Sequence, residues 1–185
     1  MRKSKWGRLA SLFCLIVVGF GSRATASQSP TAKRCGADQG RPAQRILAIV
    51  DVTRGWREYR SVSDVPEVAL GAANYAYLWV GRDRNVLIRM QEPTEDFAVY
   101  TDYCFDPTGH LVHLKFELRT AWGWGFREEG PILKGLLMAR TSEFFCTDTE
   151  KRISRPEQAA DIADWLKPQL YLRKSRLPFF KLLPK

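Results

Sequence analysis

The sequence has only two histidines, His110 and His113, and its four cysteines stand far apart. No two cysteines have the close spacing of a zinc or iron–sulfur site, so no metal and no cofactor is expected. Residues 27–185 lack glycine-rich phosphate loops, G-x-S-x-G elbows and S-x-x-K boxes, so no motif names a reaction. That lack leaves open catalytic groups that converge from distant positions. No apolar run reaches the roughly 20 residues of a membrane-spanning helix. Acidic residues are missing from both ends: 1–26 holds five basic residues and 167–185 holds six. Between them, 27–166 has 18 basic and 20 acidic residues, so the chain's net charge of +9 belongs to its ends. A near-neutral body argues against nucleic acid as a partner. There is no internal repeat and no low-complexity tract.

What is present is an ordinary globular composition, 45% hydrophobic over 185 residues. That length supports one domain with a real core. Its first residues read as an address. Arg2 to Arg8 are positive, Leu9 to Gly21 are almost wholly apolar, and Ala24-Thr25-Ala26 has the small-x-small pattern of a signal-peptidase site. Residues 1–26 are therefore expected to be a secretory signal cleaved after Ala26, leaving a periplasmic or extracellular protein. Cys14 would leave with it. Cys35, Cys104 and Cys146 would remain in an oxidising compartment, with one thiol left over. Cys104 and Cys146 both end strand-like runs, so that pair is the expected disulfide.

Residues 27–42 read as a flexible lead-in, 43–169 as a single α+β domain, and 170–185 as a basic, aromatic arm. Ile46 to Val50 suits a buried strand or a helix opened by Pro42; the reading leans to a short helix over Ala43–Asp51. From Trp56 to Phe145 the chain reads as successive strands joined by short turns, an antiparallel meander. Leu111 to Trp122 alternates most clearly: Val112, Leu114, Phe116, Leu118 and Trp122 share one face with Thr120, and Leu111, His113, Lys115, Glu117 and Arg119 share the other. Matching it to Phe97–Phe105 by apolar faces pairs Tyr103 with Val112 and sets Asp102 opposite His113. The Asp106-Pro107-Thr108-Gly109 turn favours another register, which a bulge would reconcile. Ser154-Arg155-Pro156-Glu157 looks like a helix start, with Ala159, Ile162, Ala163 and Leu166 on the buried side. The expected fold is α+β: an antiparallel sheet of about five to seven strands, packed against that C-terminal helix and the short N-terminal one.

His110 and His113 are three apart on or beside a strand, where such residues face opposite ways, so the pair is not read as a metal site. Trp122-Gly123-Trp124-Gly125-Phe126 is the most unusual stretch. With the chain extended, the three aromatics point one way beside Arg127 and could stack on a flat ligand or anchor a partner; otherwise they close the core. The leading expectation is an exported, non-catalytic domain binding an unknown protein or small ligand in the cell envelope through Trp122, Trp124, Phe126 and Arg127. One alternative is a secreted hydrolase using His113 and Asp102 as an acid–base pair. The other is a protein resting on an anionic membrane surface through its C-terminal arm.

Overall fold

Period-two burial runs through the centre of the chain, and it builds one large sheet. The structure, a computed structural model, describes residues 30–37, 39–49, 55–66, 74–81 and 83–183. The leader expected over 1–26 lies outside them. Among the described residues there are one short α-helix, α1 (Pro30–Arg34), five 3-10 turns and ten strands. The strands are β1 (Arg45–Ile49), β2 (Arg57–Tyr59), β3 (Asn74–Val80), β4 (Val86–Pro93), β5 (Phe97–Phe105), β6 (Leu111–Thr120), β7 (Trp124–Leu133), β8 (Leu136–Leu137), β9 (Thr141–Cys146) and β10 (Arg152–Ile153). Their order is β10-β9-β7-β6-β5-β4-β3-β1-β2, with β8 paired to β7 off that path, and every pair is antiparallel. The antiparallel meander is as expected, but the sheet is larger and the helix content lower than an α+β fold implies.

One face carries the main core. Leu47, Leu78, Ile88, Tyr103, Leu114, Phe116 and Phe126 pack there beneath Ala159, Ile162, Leu177, Phe179 and Leu183 of the C-terminal segment. Each large apolar side chain so buried contributes roughly 1.5–3 kcal/mol. The expected arm is thus a cover. The Tyr103 hydroxyl donates to the Gln169 carbonyl at 2.9 Å, the Leu111 N–H to Leu172 at 3.1 Å and the Lys174 N–H to Gly109 at 2.8 Å. A smaller core lies on the opposite face, where Ala32, Cys35 and Ala37 meet Trp79, Leu87 and Cys104.

Five expectations need correction. Arg45–Ile49 is a strand, not a helix. Leu47 is buried on one face and Ala48 on the other, and a strand covered on both sides reads as a continuous apolar run. The C-terminal helix is instead two 3-10 turns, Glu157–Ala160 and Ala163–Leu166. Ala159 and Ile162, three apart, are buried while Ala163 is exposed, the period of a 3-10 turn rather than an α-helix. The disulfide joins Cys35 to Cys104, and Cys146 is free. The lead-in expected to be flexible is therefore anchored at 30–37, with Thr31, Ala32, Cys35 and Ala37 buried.

Finally, β5 and β6 pair two residues away from the expected register: Tyr103 opposes Leu114 and Asp102 opposes Lys115. A bulge follows, because Cys104 opposes His113 while Phe105 opposes Leu111. The extra residue, Val112, leaves the main core and Leu111 enters it. The tight Asp106 turn and the apolar match are thereby both satisfied.

Candidate functional site

The second face of the sheet is read best as rows across the strands. One row runs Trp79, Leu87, Cys104, His113, Pro131. The next runs Tyr77, Arg89, Asp102, Lys115, Glu129. A third runs Gln91, Tyr100, Glu117, Arg127, Glu143. The middle rows alternate in charge, and directly opposed unlike charges each add about 0.2–1 kcal/mol to a sheet. Residues Arg89, Tyr100, Asp102, Lys115, Glu117, Arg119, Arg127 and Glu150 line a groove of about 470 Å³ there.

Two carboxylates in this groove are buried, and both are held by cations. Asp102 is 2% exposed. It accepts from Arg89 Nε at 2.7 Å and Nη2 at 2.8 Å, and from Gln39 Nε2 at 3.3 Å. Glu117 lies between Lys115 Nζ at 3.1 Å and Arg119 Nε at 2.5 Å. Burial pushes the Glu117 carboxyl up, but Lys115 and Arg119 outweigh it and hold it below the ordinary carboxylate value. Burial likewise opposes the charge on Arg89, and Asp102 more than restores it. Arg119 and Arg127 reach on to Glu150, and Arg127 also to Glu143.

Phe145 gives this polar face an apolar floor. It is fully buried, with Arg119 and Arg127 guanidinium carbons 5.2 and 4.6 Å from its ring centroid, within cation–π range. Gly125 makes room for the ring. A Cβ at Gly125 would stand 2.4 Å from Phe145 Cζ and 2.7 Å from the Leu118 carbonyl oxygen. A side chain there would therefore displace the ring on which both arginines rest.

The residues expected to form one aromatic patch are divided. Trp122 sits in the turn before β7 and is 46% exposed. Trp124 and Phe126, 4% and 8% exposed, point into the main core against Phe144. Arg127 alternates to the other face and joins the charged groove. Trp124 is therefore core, and of the expected patch Arg127 is the residue in the groove.

His113 and Asp102 do not form the expected acid–base pair. Asp102 is taken by Arg89, while His113 Nδ1 lies 2.8 Å from the Thr31 hydroxyl. That hydroxyl donates to Glu129 Oε1 at 2.5 Å, and the Thr31 N–H donates to the same oxygen at 2.6 Å. Burial lowers the His113 pKa from its ordinary value; Glu129 opposes this, and Arg34 and Arg140 add to it. No motif or periodicity points to Thr31 or Glu129, which come together only through α1. His110 is separate, in the β5–β6 turn beside the Thr108 hydroxyl at 2.7 Å.

Comparison with protein-family models, curated proteins and solved structures finds no match to this chain.

Proposed function

We propose that this is an exported, non-catalytic domain that binds a polar, charge-bearing ligand or partner segment of the cell envelope in the groove of its second sheet face. The single observation that carries the reading is the groove itself. Seven charged residues and Tyr100 line it, and among the described residues the C-terminal segment covers the opposite face. Buried charges are favourable only when well paired, and here each pair borders open space that a ligand's own charged groups can enter. Export is supported by the leader-like residues 1–26 and by the Cys35–Cys104 disulfide. No helix among the described residues is long and apolar enough to cross a membrane.

A thermal-shift screen of the full chain tests the reading. The panel is dicarboxylates, diamines, free amino acids and short glycan oligosaccharides, repeated on Arg119→Ala. The expected result is a compound that raises the wild-type midpoint by about 2 °C or more and has no such effect on the variant. Hits that act equally on Arg119→Ala count against the groove.

A further inference from the structure

A second cavity opens farther along the same face, at the end of the His113 row. It measures about 320 Å³ and is lined by Pro30, Lys33, Arg34, His113, Pro131 and Arg140. Its charged walls are all basic. Among the described residues none of Lys33, Arg34 and Arg140 takes part in a salt bridge. The groove described above is different, because every arginine there has a carboxylate. We propose that this cavity binds a small molecule through a terminal dianionic oxyanion of the phosphate-ester type.

The geometry behind the cavity favours that chemistry. Glu129, the carboxylate that His113 senses, has its Oε1 engaged by both donors of Thr31. With its proton committed to Glu129, the Thr31 oxygen accepts from Nδ1–H of His113. The tautomer is thereby fixed, and Nε2 is the ring's remaining polar atom. An arriving dianion favours the protonated ring, whose Nε2–H then donates to it, and two guanidinium groups offer the planar forks that match phosphate oxygens. The backbone that carries two of the cations is fixed beside the imidazole. Lys33 and Arg34 belong to α1, which is tied to β5 by the Cys35–Cys104 bond and to β7 by Thr31 and Glu129. The volume is at the lower end of small-molecule pockets, roughly 300–1,000 Å³, and exceeds what a bare anion fills. Pro30 and Pro131 supply apolar wall for the rest of the ligand.

The test uses the chain's only two imidazoles as reporters. Phenyl phosphate and inorganic phosphate are titrated separately into the full chain at constant ionic strength, and the His110 and His113 ring protons are followed by NMR. The expected result is a saturable shift of the His113 signal, tighter for phenyl phosphate, with His110 unmoved. Arg34→Ala and Arg140→Ala should each weaken binding by about fivefold or more, with an unchanged melting midpoint. The proposal is overturned if His113 shows no saturable shift up to roughly 10 mM ligand, or if both histidines move alike. Unchanged affinity in both arginine variants also overturns it. Equal affinity for inorganic phosphate overturns the ester. The groove variant Arg119→Ala should bind phenyl phosphate normally, which separates this site from the one proposed above.

Discussion

Trp122 and Trp124 are two residues apart, yet they belong to different energetic classes. Trp124→Ala removes a buried indole and should cost about 3–5 kcal/mol, read as a lower urea midpoint. Trp122→Ala should cost less than about 1 kcal/mol; comparable losses from the two would refute the assignment. The sequence alternation sorts such residues only once the first ladder position is known. Gly123, with φ of +84°, closes the turn, so the ladder begins at Trp124 and leaves Trp122 outside. Period two sends Arg127 to the face opposite Phe126, so the two cannot share one patch. At His113 the depressed pKa has a stability consequence with a definite sign. The unfolded imidazole takes its proton near the ordinary value of 6.5, the buried one only at lower pH. Stability linked to His113 is therefore intact above about pH 6.5 and is lost as pH falls through the folded value. His113→Gln should flatten the fall in melting midpoint between about pH 7.5 and 5.5. An equally steep fall in the variant would place the acid sensitivity elsewhere.

At the scale of elements, α1 is the least legible part of the fold. Pro30–Arg34 has no apolar periodicity long enough to register, and its position depends on one disulfide, the two donors of Thr31 and the burial of Ala32. Matching strand end to strand end points to Cys104–Cys146, whereas the bond joins Cys104 to Cys35 outside any strand. The cysteine that bonds Cys104 comes from the opposite face's small core, which no run of residues announces. Peptide mapping under non-reducing conditions should recover a Cys35–Cys104 cross-link and an alkylated Cys146; a Cys104–Cys146 peptide would reverse the assignment. Replacing Cys35 and Cys104 together by Ser releases a constraint spanning 69 residues. The expected loss is about 4 kcal/mol on the chain-entropy estimate. The strands β5 and β6 were legible because each alternates over at least nine residues. Short β2, β8 and β10, of three, two and two residues, give no such signal, and the expected sheet was accordingly too small.

For the molecule as a whole, the two sheet faces divide the chemistry. One is closed by a C-terminal segment whose apolar residues Leu177, Phe179 and Leu183 are buried in the core. The other carries paired charge in the middle and, among the described residues, basic side chains outside any salt bridge on and beside α1. Alternation along single strands foretold a polar face on β6, where His113 and Glu117 are nonetheless buried, but the sites required the order of β4 to β9, which only the complete register supplies. The placement of α1 also bears on the order of assembly. Its partners Cys104, His113 and Glu129 lie 69, 82 and 98 residues away along the chain. Contacts of such separation form late, after the hairpins between neighbouring strands. The early residues of the domain are thus among the last to settle, and the basic cavity comes into being only when they do.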